Sequence, residues 1–299
     1  MAFEVPISGG GLAVRAAPRG LRWRQLPGLL QIVVGIALVV PFVVLAVGAP
    51  WIAPHSPNAI DLANRLAPPA WGEGGSTAHL LGTDHLGRDM LSRIIYGARV
   101  SILIGGVTVL GAGILGVAIG LLAGYFRGPL DTAVTAIAEI QQSFPFLALA
   151  IVVIATIGRG MLNMIAVLVI GGWILFFRVV RGEAMSIAER RFVDGAKALG
   201  AGHRRIMLRH ILPNVRASII VIATFNFAWF ITAEASLSFL GLGVDPSTPS
   251  WGQMLSDSRS YFQLAWWYPT FPGLALVALV LGANLLGDGL QNRWDPYLR

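Results

Sequence analysis

The sequence predicts an all-α, polytopic membrane protein with six transmembrane helices, and three observations carry that prediction. Of its 299 residues, 55% are hydrophobic and 12% charged, and the mean hydropathy is +0.70, whereas soluble domains carry about a quarter charged residues. Six stretches hold about 20 mostly apolar residues, the length that crosses about 30 Å of hydrocarbon at about 1.5 Å per residue. The basic residues divide unevenly between alternate connections, as Lys and Arg resist translocation and stay on the cytoplasmic side.

The first span, 29–48, follows a tail (1–28) bearing Arg15, Arg19, Arg22 and Arg24. Its apolar run exceeds a usual signal-peptide core and no small-x-small site follows before Pro50, so it is expected to be retained as a span. The segment 49–99 carries Pro50, Pro54, Pro57, Pro68 and Pro69 among polar residues, which predicts an ordered outer loop. It ends Gly82-Thr83-Asp84-His85-Leu86-Gly87-Arg88-Asp89-Met90-Leu91-Ser92-Arg93, where Thr83 or Asp84 is placed to cap a short helix leading into the second span. His79 and His85 lie in this loop without a further ligand set in the sequence, so no metal site is expected.

The second span, 100–124, contains Gly116-x-x-x-Gly120-x-x-x-Gly124, a row of small residues on one helical face that lets a neighbouring helix approach closely in lipid. The third, 132–157, carries Glu139 near its inner end, where snorkelling or pairing with Arg127 would satisfy it. The fourth covers 161–177. The fifth, 217–239, contains Glu234 and Asn226 as candidates for a translocation path, since a carboxylate in a span is costly and usually faces a cavity or partner; Glu234 at the outer interface as a structural residue is an equal reading. The outer loop 241–268 is rich in Gly, Pro and aromatics. It reads as an interfacial belt and, without excluding that, as an outer gate or a docking surface for a partner, with Ser247, Trp251 and Gln253 as candidate docking residues. The sixth span is 269–287, and 290–299 forms the C-terminus.

With both termini inside, the inner segments hold sixteen Lys and Arg: four in the tail, Arg127, nine between Arg178 and Arg216, Arg293 and Arg299. The outer segments hold six. The net charge of +7 is therefore a topology signal, and no aromatic-interleaved basic platform for nucleic acid is present. There are no cysteines, which excludes disulfides and thiolate metal sites. The only lysine is Lys197, between Ala196 and Ala198; a phosphate-cradling loop ending Gly-Lys-Ser/Thr cannot be built, and no hydrolase motif or catalytic residue is legible.

One charged, amphipathic stretch, 187–214, separates the fourth and fifth spans. Residues 187–199 are expected to form a helix, Gly200-Ala201-Gly202 a turn of positive φ, and 203–212 a second helix, after which Pro213 turns the chain back to the membrane. On that second helix Ile206, Leu208, Ile211 and Leu212 are expected to pack, while Arg204, Arg205 and Arg209 face headgroups or a protein. From the residues alone, an interfacial helix and a docking socket are equally consistent.

Asp194-Gly195-Ala196, Gly200 and Leu212-Pro213 resemble the Glu-Ala-Ala, Gly and Leu-Pro elements of the cytoplasmic loop of bacterial ABC import permeases. Asp replaces Glu, Gly195 replaces an Ala at a helical position at about 1 kcal/mol of propensity, and His210 stands where many relatives have Ile. Leu208-Arg209-His210-Ile211-Leu212-Pro213-Asn214 is similar to the dipeptide/oligopeptide branch. So are the 82–89 segment, Glu234-Ala235-Ser236-Leu237-Ser238-Phe239-Leu240-Gly241-Leu242-Gly243, Pro249-Ser250-Trp251-Gly252, Asn284-Leu285-Leu286-Gly287-Asp288-Gly289-Leu290 and Asp295-Pro296, which resemble its C-type permease.

The resemblance implies the type I ABC importer permease fold, with a permease domain over 100–289, in a bacterial cytoplasmic (inner) membrane. It implies as partners a homologous B-type permease, two ATPase subunits that bind ATP and Mg, an extracytoplasmic solute-binding protein and the lipid bilayer, with no cofactor in this chain. Coupling would run through Asp194, Gly195, Ala196, Gly200, His203, Arg204, Arg205 and Pro213, with residues 194–205 pressed into a groove on one ATPase. Relatives with these motifs import peptides, glutathione or nickel chelates. An ion-coupled secondary transporter would show paired intramembrane carboxylates and an inverted repeat, and neither is found.

Overall fold

A computed structural model describes residues 26–294; the tail arginines Arg15, Arg19, Arg22 and Arg24, and Asp295-Pro296 and Arg299 at the other end, lie outside them. The described chain is helical, with one isolated β-bridge between Thr83 and Asp89. In order the helices are α1 (Leu26–Ile52), α2 (Met90–Phe126), α3 (Gly128–Gln142), α4 (Phe146–Ile157), α5 (Met161–Ala188), α6 (Arg191–Ala198), α7 (His203–Ile206), α8 (Leu212–Phe239), α9 (Trp251–Ser258) and α10 (Trp267–Trp294). Among the described residues, α1, α2, α5, α10 and the run from His203 to Phe239 are long and apolar enough to cross a membrane.

The third span is the first correction. The expected single helix over 132–157 is two, α3 and α4, which meet at 86°. Pro145 explains the break: it has no amide hydrogen to donate and it disfavours α geometry at Phe144, so α3 ends and α4 starts anew on its far side. Asp131 in the first turn of α3 is buried and pairs with Arg181 of α5. That pair lets α5 run on past Arg178 and Arg181 to Ala188, well beyond the expected end at 177.

The α2–α5 contact is set by the glycine row. A Cβ on Gly116 would sit 2.3 Å from the Trp173 carbonyl oxygen, one on Gly120 2.9 Å from that of Phe177, and one on Gly124 2.6 Å from that of Arg181. Only hydrogen at these three positions permits the approach, and close packing is the principal attraction available between helices in lipid. Helix α8 packs between α2, α5 and α10, while α1 lies along α10. Ile104, Leu168, Phe176, Phe230 and Leu237 form the centre of the bundle.

Helix α2 starts at Met90 because Asp89 caps it, its Oδ2 accepting from the Ser92 amide at 2.8 Å. The expected caps are used elsewhere. Thr83 Oγ1 accepts from the Ala67 amide at 2.8 Å, and Asp84 turns its carboxylate onto the Leu86 and Arg88 amides at 2.8 and 2.9 Å and onto Arg88 Nε at 2.6 Å.

The two outer loops, read separately from the sequence, are one folded cap. Trp267 Nε1 donates to the Thr83 carbonyl at 3.2 Å, His85 Nδ1 lies 2.8 Å from the Tyr268 hydroxyl, Asn58 Nδ2 donates to the Ser247 carbonyl at 2.8 Å, and Arg88 lies 3.7 Å from Asp257. Helix α9 forms part of this cap where no regular structure was expected. Ser250 starts it by accepting from the Gln253 amide at 3.2 Å, the standard use of a Ser N-cap.

Candidate functional site

The elbow between α5 and α8 is a folded knob. The expected helix over 187–199 is broken: α5 ends at Ala188, Glu189 and Arg190 make a turn, and α6 begins at Arg191. Helix α6 closes as a Schellman motif, with the Ala201 amide donating to the Ala196 carbonyl at 3.0 Å and the Gly200 amide to that of Lys197 at 2.9 Å. That motif needs a left-handed residue at its crossing point, and Gly200 has φ of +80°. Gly195, by contrast, sits in a helical turn with open space where a Cβ would be.

The second half of the elbow departs from expectation at Pro213. Helix α7 passes through a π-helical segment, Met207–Ile211, directly into α8, so Pro213 lies in the first turn of a continuing helix and the chain does not turn back there. A proline cannot donate to the carbonyl four residues earlier, and a π segment is a helical way to absorb that loss without a kink. Asn214 Nδ2 caps the His210 carbonyl at 2.6 Å. The wider turn also shifts the faces: Ile206 and Ile211 are buried as expected, but Leu208 is exposed.

A small core fuses the elbow to the bundle. Val193 of α6, Ile206, Ile211 and Val215 pack with Ile187, Ala184 and Val180 of α5 and Leu121 of α2. The Tyr125 hydroxyl lies 2.8 Å from His203 Nδ1. Arg127, one of the two means by which Glu139 could be satisfied, snorkelling being the other, donates to Glu189 at 2.8 Å and to the Met185 carbonyl at 2.9 Å. Both closures bind the end of α2 to the elbow.

The outward face of the knob carries the candidate coupling residues. Asp194, Gly195, Gly200, His203, Arg204 and Arg205 are exposed and Ala196 is half-buried. Asp194 and Lys197 are paired at 3.2 Å. Sequence reasoning missed two apolar residues there: Leu199 is 90% exposed and Phe192 44%, on an elbow whose Arg190, Arg191, Arg204 and Arg205 are also exposed. Leu199 is the C-cap residue of α6, and its place just before the turn glycine was the one cue in the sequence.

Of the two path candidates, Asn226 lines a membrane-level groove of about 430 Å³ and Glu234 does not. The groove is bounded by Leu175 of α5, Asn226, Trp229 and Thr232 of α8, and Asn284 of α10. Asn226 is buried and its Nδ2 has no hydrogen-bond partner, an arrangement that costs about 1–3 kcal/mol unless something supplies an acceptor. Glu234 is fully enclosed, accepting from Ser238 Oγ at 2.7 Å and from Ser101 Oγ of α2 at 3.5 Å; it ties α8 to α2.

The docking candidates also separate. Ser247 is exposed and Gln253 half-buried, the latter donating to Asp257 at 2.7 Å. Trp251 is wholly buried, its Nε1 donating to the Ile94 carbonyl at 3.0 Å. Its ring fills the junction of α2, α9 and α1, edge-on to Phe42 at 5.4 Å, so the expectation that it meets a partner is corrected to a core role.

Comparison with known proteins bears on this geometry. Residues 116–299 match the family model described as the binding-protein-dependent transport system inner membrane component, and residues 32–69 match the N-terminal transmembrane domain of oligopeptide transport permease C. The chain is 44% identical over 267 residues to the dipeptide transport system permease protein DppC of Escherichia coli (strain K12), covering 89% of each. It is 41% identical over 265 residues to the di/tripeptide transport system permease protein DppC of Pseudomonas aeruginosa (strain UCBPP-PA14), covering 89% of this chain and 88% of that one. A solved structure of the MetNI methionine ABC transporter in inward-facing conformations superposes with a TM-score of 0.54 at 21% identity, over 67% of this chain and 94% of that one; the likeness is one of fold.

Proposed function

The chain belongs to the family of inner membrane components of binding-protein-dependent transport systems, and from that premise we propose that it is the C-type permease of an ATP-driven importer of dipeptides and short oligopeptides. It pairs with a homologous B-type permease, receives solute from an extracytoplasmic binding protein and is driven by two ATPase subunits. ATP and Mg bind to those subunits; this chain offers no phosphate-binding loop.

The observation that carries the reading is the knob. An exposed apolar pair, Phe192 and Leu199, projects from a folded elbow that also exposes arginines and whose buried side is continuous with three spans. A lipid-facing helix needs no such closure to α2, whereas a lever does. The basic residues of the elbow support a cytoplasmic position for it, where closure of an ATPase dimer on ATP pushes α6. Because the elbow core is packed, the push becomes a rigid-body movement of α2, α5 and α8, and the path opens alternately to the two sides.

Along the path, Asn226 and Asn284 supply amide groups to a largely apolar groove, chemistry suited to passing peptide bonds without holding side chains. Selection among peptides then rests with the binding protein.

The test is reconstitution of the assembled complex in liposomes with a labelled dipeptide. The expected result is copurification of an ATPase and uptake that requires ATP and the binding protein. Uptake driven by an ion gradient without ATP would overturn the proposal in favour of a secondary transporter.

A further inference from the structure

Three side chains that the sequence keeps apart meet at the start of α2. His55, His79 and Asp89 each offer one ligand atom, and these atoms lie within 4.8 Å of one another. His79 Nδ1 is 3.0 Å from Asp89 Oδ1, and His55 Nδ1 is 3.8 Å from Asp89 Oδ2. The imidazole rings are 5.0 Å apart between centroids. Donors arranged tetrahedrally around Zn²⁺ at about 2.0–2.2 Å stand about 3.3–3.6 Å from one another, and the two imidazole–carboxylate spacings bracket that range.

We propose that His55, His79 and Asp89 form a binding site for a divalent transition-metal cation of the Zn²⁺ type, with three protein ligands and a fourth position open to solvent. A pair of imidazoles with one carboxylate is a donor set for Zn²⁺ and its borderline neighbours; Mg²⁺ and Ca²⁺ take oxygen ligands. A His–Asp hydrogen bond accounts for His79 alone. It leaves His55 unexplained, since its ring faces the same carboxylate beyond hydrogen-bond distance and lies against a second imidazole.

The site has a built second shell. Asp89 is almost fully buried, and Ser92 holds its Oδ2 twice, from the amide at 2.8 Å and from Oγ at 2.7 Å. The same Ser92 Oγ accepts from the His55 amide at 3.0 Å. One serine thus orients both the carboxylate and the loop segment that presents His55, the kind of support on which metal ligands depend. His55 is the most open of the three at 39% side-chain exposure, against 12% for His79 and 1% for Asp89, which leaves a way in. Asp89 is also the cap of α2, so the bound cation would clamp the outer loop onto the start of that span.

The test uses the full-length chain in lipid nanodiscs, stripped with a chelator and titrated with Zn²⁺ by calorimetry and with Co²⁺ by visible absorption. The expected result is one equivalent of Zn²⁺ and the intense visible bands of a low-coordinate Co²⁺ site. His79→Gln and Asp89→Asn are each expected to weaken binding by at least about 100-fold, beyond the roughly 10- to 100-fold loss for the second-shell change Ser92→Ala. Asp89→Asn keeps a side-chain oxygen able to cap α2, so an unchanged melting temperature of the stripped variant separates ligand loss from misfolding. No Zn²⁺ binding by the wild type, or binding equal in wild type and either variant, would overturn the proposal.

Discussion

The Tyr125 hydroxyl, at the end of α2, lies 2.8 Å from Nδ1 of His203, the first residue of α7, and the neighbouring Phe126 ring stands 5.4 Å from the same imidazole. The elbow is therefore joined to a third span, α2, as well as to the two it connects. Tyr125→Phe removes the hydroxyl and keeps the ring. The expected phenotype is normal assembly with fewer dipeptides carried per ATP hydrolysed, read as the ratio of uptake to phosphate release in proteoliposomes.

Gly200 and Gly195 make a matched pair for testing the turn. Gly200 has φ of +80°, where an ordinary residue costs about 1–2 kcal/mol and a β-branched one more; Gly200→Val is expected to distort the α6–α7 turn and abolish uptake in an assembled complex. Gly195 is helical with open space around it, so Gly195→Ala is expected to keep full uptake and to gain about 1 kcal/mol of helix stability. Uptake assays on both variants at matched expression decide the point.

Trp251 and Ser247 test the outer cap. Trp251→Ala removes a wholly buried indole and its bond to Ile94 and is expected to cost about 3–5 kcal/mol, seen as a large drop in melting temperature and in yield. Ser247 is exposed on the same cap. A photocrosslinker there is expected to capture the solute-binding protein in the ATP-bound complex, with folding unaffected.

The cap should also weaken in acid. Burial holds the His85 imidazole below its ordinary pKa of 6.5, outweighing Asp84 and Asp257, which favour the charged form, and acting together with Arg88 and Arg93. The unfolded chain then takes up a proton that the folded cap refuses, so this contribution is complete above about pH 6.5 and is lost as the pH falls below it. His85→Gln should reduce the drop in melting temperature between about pH 7.5 and pH 5; an identical drop in wild type and variant would remove His85 as its source.

Hydropathy made the spans legible because a bilayer dictates length and composition together. It also hid the break at Pro145, since α3 and α4 together pass for one apolar span whether or not the chain bends, here by 86°. The glycine row of α2 and the positive-φ turn at Gly200 were readable because glycine marks positions where a Cβ is excluded or the backbone is left-handed. What the sequence could not disclose are contacts between distant segments: His85 meets Tyr268 across 183 residues, Trp251 turns inward to Ile94 across 157, and His55 reaches His79 and Asp89. For the same reason Leu199 looked like an ordinary helix-terminal leucine until its 90% exposure set it on the face of the knob.

That face is where the account is most directly tested. A photoreactive amino acid at Leu199 in the assembled complex is expected to crosslink an ATPase subunit, with a yield that changes when ATP is bound. A crosslink to lipid alone, in a complex that still imports dipeptide on ATP, would contradict the lever.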